Sequence, residues 1–191
     1  VRDTLNQIGI NQPDDELVTL SKNILNLALI GRIKEKKPNH EFSGIRNEAS
    51  LWEELLQAVR ADEERHTARG LAFGEDVIQL ATQLACQSML TVDRTIEIRP
   101  TQEAAYQRLI SWRILIQEDG NRHRIFHEKL QDFLYARERV ALGYMPIQVA
   151  DEIGAHRTPT VLPLMLEMYL ASKSAKLIQF LREGWNDHAI E

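Results

Sequence analysis

The chain has 191 residues, 43% hydrophobic and 27% charged, a composition typical of folded globular proteins. Its net charge of −5 argues against a protein that mainly neutralises nucleic-acid phosphates with clustered lysine and arginine. It has no bilayer-length apolar run and no signal-peptide pattern, and its single cysteine, Cys86, cannot form an intramolecular disulfide, so we expect a cytoplasmic protein. Because the chain begins at Val1 rather than Met, we also expect a piece of a longer protein.

Residues 1–70 are predicted to form a helical, lid-like segment with one loop. Pro13 and the two acids after it are typical of a helix start, and apolar residues recur at helical spacing to about Ile30. The polar, aperiodic stretch that follows predicts a loop over about 31–49. Ser50 and Glu53 have capping-box spacing, which predicts the start of another helix. Its apolar stripe comprises Leu51, Trp52, Leu55, Leu56 and Val59.

Residues 71–141 are predicted to form a domain in the order helix, strand, helix, hairpin, which is the winged-helix order, followed by a further helix. The first helix should run from about Gly74 to Leu90, a short strand should cover 95–98, and Thr101 can cap the second helix. The residues predicted to be buried are Val77, Leu80, Ala81, Leu84, Ala85 and Ser88 in the first helix and Ala105, Tyr106, Leu109 and Ile110 in the second.

Asp119-Gly120 predicts a two-residue hairpin turn of type I′, which requires positive φ angles that glycine tolerates. Pairing Glu118 with Asn121 then gives the hairpin one apolar and one basic face. The apolar face would hold Ile114, Ile116 and Ile125, and the basic face Arg113, Arg122 and Arg124. The next helix is predicted to bury Leu130, Phe133, Leu134 and Ala141, an arrangement that points His127 inward.

Residues 142–191 are predicted to form an antiparallel helical pair, the start of a helical-repeat array. One helix covers the apolar stretch 162–170, and the other carries Leu177, Phe180 and Leu181. Residues 149–161 have helix-turn-helix spacing, but Pro163 and its apolar neighbours favour packing in a core over contact with a DNA groove.

The segment RIFHEKLQDFLYA, residues 124–136, joins the hairpin to the helix. It resembles the end of the winged-helix domain in STAND-type signalling NTPases, the class that includes NACHT and NB-ARC proteins. The matching positions are Phe126, His127, Gln131, Asp132, Phe133 and Ala136, and Leu130 stands where the family usually has Phe. The resemblance implies that His127 contacts the β-phosphate of ADP bound by an adjacent nucleotide-binding domain and holds the resting state. It further implies a regulatory role in bacterial defence or transcription control, with protein ligands or oligomer partners.

Other hypotheses remain open for the same residues. His127 could instead be a packed residue that hydrogen-bonds to a backbone carbonyl. Arg122, Arg124 and Lys129 form a basic patch that would suit a winged-helix DNA-binding regulator. A helical protein-interaction scaffold would show an apolar groove beyond Val140.

Catalytic and metal sites are not predicted in this chain. It has no phosphate-binding loop, nucleophile elbow or glycine-rich dinucleotide turn, so we expect it not to be an enzyme itself. ADP or ATP would be bound only by a domain outside these residues. His123 and His127 have H-x-x-x-H spacing, but the predicted break from strand to helix separates them, which does not favour a zinc site.

Overall fold

The computed structural model describes residues 1–67, 76–98, 104–172 and 175–186. Over these ranges the chain is mostly helical, with ten helices and a small three-stranded sheet, which confirms the predicted mostly α-helical class. The chain divides into two compact units, Val1–Ala72 and Phe73–Glu191. The predicted boundaries at residues 70 and 141 and the winged-helix and repeat assignments remain predictions. No helix within the described ranges is both long and apolar enough to cross a membrane.

The first unit contains α1 (Arg2–Gln7), α2 (Asp15–Leu20), α3 (Ile24–Lys36) and α4 (Glu48–Thr67), with α3 packed on α4. The side chain of Asp14 caps α2 by accepting a hydrogen bond from the Leu17 N–H at 2.7 Å. The predicted apolar stripe of α4 is buried, as expected from its helical spacing. The core of the unit includes Leu5, Leu17, Ile30, Ile33, Phe42, Ile45, Leu51, Trp52, Leu55 and Leu56.

Three predictions for this unit are wrong in detail. The single helix predicted to end near Ile30 is split into α2 and α3, and α3 continues through Gly31 to Lys36, so the loop begins later than residue 31. Ile33 is fully buried, and its burial offsets the helix penalty of about 1 kcal/mol for glycine. Ser50 is not the N-cap of α4. Asn47 holds that position, and its Oδ1 accepts from the Ser50 N–H at 2.8 Å while Ser50 Oγ accepts from the Asn47 N–H at 3.1 Å.

The second unit contains a three-stranded antiparallel sheet. Its elements are α5 (Val77–Met89), β1 (Ile96–Glu97), α6 (Ala104–Ser111), β2 (Leu115–Asp119), β3 (Arg122–Ile125), α7 (Glu128–Leu142), α8 (Pro146–Ile153), α9 (Thr158–Ala171) and α10 (Leu177–Asn186). The strand order is β1-β3-β2, and α7 contacts both α5 and α9. The predicted inner face of α5 is buried throughout. The predicted cap Thr101 lies outside the described residues.

The hairpin forms with a different turn from the predicted one. Asp119 pairs with Arg122, and the register shift just before Asp119 makes Glu118 the extra residue of a β-bulge. The two turn residues are therefore Gly120 and Asn121. Among the described residues of the turn only Gly120 has a positive φ, +54°, so the type I′ turn, which needs two positive φ angles, is absent there.

The new register exchanges the residues on the two faces of β2. Leu115 pairs with Ile125 and is 1% exposed, whereas Ile116 lies opposite Arg124 and is only half-buried. A one-residue shift of a strand turns every side chain to the other face. The prediction of Ile116 on the inner face was therefore wrong, and Leu115 takes its place in the core.

Several burial predictions for the helices also need correction. On α6, Ala105 and Leu109 are buried, but Tyr106 is half-buried and Ile110 is 39% exposed. On α7, Ala141 is exposed, and its buried residues instead form one run from Leu130 to Ala136 because α5 and α9 pack on two sides of this helix. The region after α7 contains one helix more than the predicted pair: α8 precedes α9 and α10 and was not predicted as a separate element. The expected core packing of α9 is observed at Val161, Leu162, Met165 and Tyr169.

Candidate functional site

His127 is the N-cap residue of α7 and directly follows the β-sheet. Its backbone is extended, with φ −144° and ψ 139°, and its Nδ1 accepts a hydrogen bond from the Lys129 N–H at 3.1 Å. Because Nδ1 acts as an acceptor, the neutral imidazole carries its proton on Nε2. The ring is half-buried, so the prediction of a fully inward side chain was only partly correct. Nε2 is consequently the ring atom that can donate to an anion.

The sheet and the helix together fix the position of this histidine. The Phe126 N–H donates to the Ile114 carbonyl at 2.8 Å, which extends the strand pairing up to the residue before His127. On the other side, Leu130 and Phe133 are buried at 1% and 2% exposure and hold the first turns of α7 in the core. The backbone of His127 is therefore held on both sides, by the sheet and by α7, which suits a side chain that must recognise a ligand.

Arg94 holds two carboxylates at the start of α7. Its Nη1 lies 3.3 Å from Asp132 Oδ1 and 3.7 Å from Glu128 Oε2. Asp132 is 5% exposed, and burial raises the pKa of its carboxyl group, while the positive charge of Arg94 opposes that rise. Through Arg94, Asp132 anchors α7 to the segment between α5 and β1.

The arginines of the predicted DNA-binding patch lie against carboxylates. Arg122 pairs with Asp93 and also donates to Thr95 Oγ1 at 3.0 Å. Arg124 pairs with Glu118, the bulged residue of β2. The sequence alternation placed both arginines on one face but did not show that these acids share it. A DNA phosphate would have to compete with both ion pairs, and the exposed Lys129 is the third predicted member of the patch.

The two histidines with H-x-x-x-H spacing occupy different environments. His123 is 8% exposed on β3, with its Nδ1 3.0 Å from the Asn121 carbonyl oxygen, whereas His127 caps α7. Among the described residues, no group of three or more His, Cys, Asp or Glu side chains is arranged to hold a metal ion.

Arg157 was not identified from the sequence, although it donates hydrogen bonds to three backbone carbonyls. It lies in the turn between α8 and α9, is 8% exposed, and donates to the Met89, Thr91 and Val92 carbonyls at the end of α5. The last two hydrogen bonds measure 2.7 and 3.1 Å. A guanidinium group at a helix C-terminus satisfies carbonyls that have no partner within the helix and complements the helix dipole.

A second polar cluster joins α7 to α8. Glu152 Oε2 accepts from Arg139 Nε at 2.7 Å and from the Tyr135 hydroxyl at 2.7 Å, and Arg139 lies 4.6 Å from the Tyr135 ring centre. Cys86 is half-buried close to this cluster, and burial raises the pKa of its thiol to about 11. The arrangement links the helix that His127 caps to the helices that follow it.

Large apolar side chains are exposed on the C-terminal helices. They are Leu142, Ile147, Leu170, Ile178 and Leu181, each at least 40% exposed. Both the scaffold hypothesis and the sensor-array hypothesis expect apolar side chains here that a protein partner would cover.

The first unit contains a cleft of about 600 Å³, formed by residues 9–12, Asp14, Leu17, Lys34 and residues 38–43. Its walls come from segments that are distant in sequence, so no local sequence pattern indicated the cleft.

Comparison with models of known protein families, with curated proteins and with solved structures finds no match to this chain.

Proposed function

We propose that this chain is a regulatory segment of a STAND-like signalling NTPase, in which a winged helix in residues 71–141 senses bound ADP through His127. The observation that carries the proposal is the position of the Phe126–Ala136 pattern, which begins where the sheet ends and α7 starts. At that point His127 has a fixed Nδ1 and can donate from Nε2. The nucleotide-binding domain required by the proposal lies outside these 191 residues.

The order of the elements in the second unit supports the winged-helix part of the proposal. α5, β1, α6 and the β2–β3 hairpin follow one another as they would in a winged helix, and α7 continues from the hairpin. The α7 N-terminus adds backbone N–H groups and a favourable dipole for a phosphate near His127. Glu128 and Asp132 would oppose an anion, but Arg94 lies within 3.7 Å of both carboxylates and balances part of their charge.

The proposed mechanism is a shift between two conformations. A hydrogen bond from His127 to ADP would stabilise the closed, resting arrangement, and a protein ligand on the C-terminal helices would favour the open one. α7 carries His127 at its N-terminus and Arg139 near its other end, where Arg139 pairs with Glu152 of α8. Movement of α8 would therefore displace the helix that positions the histidine.

The test uses the intact protein, including its nucleotide-binding domain, purified as wild type, His127→Ala and His156→Ala. His156 is an exposed histidine in the turn after α8 and serves as the matched control. Bound nucleotide is released by denaturation and quantified by chromatography. We expect His127→Ala to lose ADP at least about tenfold faster than wild type, the effect of one hydrogen bond to a charged group. Equal retention of ADP by the His127→Ala and His156→Ala proteins would contradict the proposal.

A further inference from the structure

The cleft of the first unit has an apolar floor and polar walls. Ile10, Leu17 and Phe42 line it and are 7%, 1% and 5% exposed. The walls come from two irregular segments, one contributing residues 9–12 and Asp14 and the other residues 38–43. Its volume of about 600 Å³ lies within the range of small-molecule sites, which combine apolar walls with a few polar groups.

Lys34 is the lysine in the lining of this cleft. Its side chain is half-buried and passes Gly9, where a Cβ atom would lie 3.5 Å from Lys34 Cε. Its Nζ donates to the His40 carbonyl at 3.3 Å, and in the described parts of the chain it forms no ion pair with a carboxylate. An ammonium group has three N–H donors, and a half-buried one is stabilised by a counter-ion. Lys34 is therefore suited to receive a carboxylate from a ligand.

Two acidic residues also line the cleft, so a simple anion is not the best fit. Asp14 accepts a hydrogen bond from the Leu17 N–H at 2.7 Å through Oδ1, and Glu41 is exposed. Their negative charge would repel a purely anionic ligand and attract an ammonium group. The amide side chains of Asn11 and Asn39 add neutral hydrogen-bonding groups.

We propose that this cleft binds a small zwitterion of the α-amino-acid class. The ligand carboxylate pairs with the ammonium group of Lys34, and the ligand ammonium group faces Asp14 and Glu41. The apolar side chain of the ligand packs on the apolar floor of the cleft. The proposal is independent of the regulatory role of His127, because every residue that it uses lies in the first unit.

The experiment is a titration of the ¹⁵N-labelled 191-residue chain, followed by ¹H–¹⁵N correlation spectra. L-leucine and L-phenylalanine are the probes, and each is compared with its N-acetyl and C-terminal amide derivatives. We expect saturable shifts at the amides of residues 9–12 and 39–43 with at least one free amino acid, and at least about tenfold weaker binding of both derivatives. No saturable shift with either amino acid would overturn the proposal, as would equal binding of a derivative that lacks one of the two charges.

A pair of variants tests the role of Lys34. Lys34→Met retains an apolar stem but removes the ammonium group, and Lys22→Met removes an exposed lysine that does not line the cleft. We expect Lys34→Met to weaken binding at least about tenfold and Lys22→Met to leave it unchanged. The shift dispersion of both spectra reports whether each variant is folded. A folded Lys34→Met protein with wild-type affinity would contradict the assignment.

Discussion

Replacing Arg157 by Met should destabilise the second unit more than any exposed arginine replacement there. Arg157 is 8% exposed and donates to three carbonyls at and beyond the end of α5. At about 1 kcal/mol for each hydrogen bond, their loss amounts to about 3 kcal/mol. Burial of carbonyls left without a partner raises the expected cost to about 3–5 kcal/mol. Arg157→Lys retains the positive charge but lacks the planar set of N–H donors of a guanidinium group, so we expect it to lose about half as much folding free energy as Arg157→Met.

Hydrogen exchange measured by mass spectrometry can show which helices lose stability when Arg157 is replaced. We expect the amides of α5 and α9 in Arg157→Met to exchange about two to three orders of magnitude faster than in wild type. Amides of α3 and α4 provide an internal reference, and Arg182→Met, which removes an exposed arginine of α10, is the control variant. A change below about 1 kcal/mol in α5 would refute the assignment of Arg157 as the residue that closes this helix end.

Two further predictions concern titratable groups. Burial lowers the pKa of His40, and Lys37 and Lys34 add to this effect while Glu54 opposes it. At pH values above the usual pKa of 6.5, His40 is neutral in both the folded and the unfolded chain. As the pH falls below 6.5, His40 binds a proton in the unfolded chain before it does so in the folded chain, so the first unit should lose stability. A histidine NMR titration midpoint at or above 6.5 would contradict this. Because the pKa of the Cys86 thiol is about 11, roughly one thousandth should be thiolate at pH 8, so disulfide-exchange reagents should react much faster after denaturation. Equal rates in native and denatured protein would contradict it.

Local patterns in the sequence predicted most of the helices but not their exact limits. Helical spacing identified α5 because that helix buries one continuous face, whereas α7 is buried on two sides, by α5 and α9. Gly31 suggested a helix end, yet the burial of Ile33 keeps it inside α3. The hairpin turn was misplaced by one residue, since Asp119-Gly120 and Gly120-Asn121 are both turn-forming pairs and the bulge at Glu118 leaves no clear pattern in sequence.

The long-range interactions of Arg157 and Arg122 could not be predicted from the spacing of residues along the sequence. Arg157 bonds to carbonyls that lie 65 to 68 residues earlier, and a backbone acceptor has no residue type that a pattern could detect. The ion pair of Arg122 with Asp93 spans 29 residues and depends on β1 lying beside β3. His127 was selected because its neighbours resemble a family pattern at a predicted strand-to-helix junction, which is a local feature of the sequence, and its role stays a prediction.

The most direct test of the proposed function is a structure of the intact protein with ADP bound. We predict His127 Nε2 within about 3.2 Å of a β-phosphate oxygen, with Nδ1 still accepting from the Lys129 N–H. An ADP molecule bound with this imidazole well beyond hydrogen-bonding distance of its phosphates would rule out ADP sensing by His127.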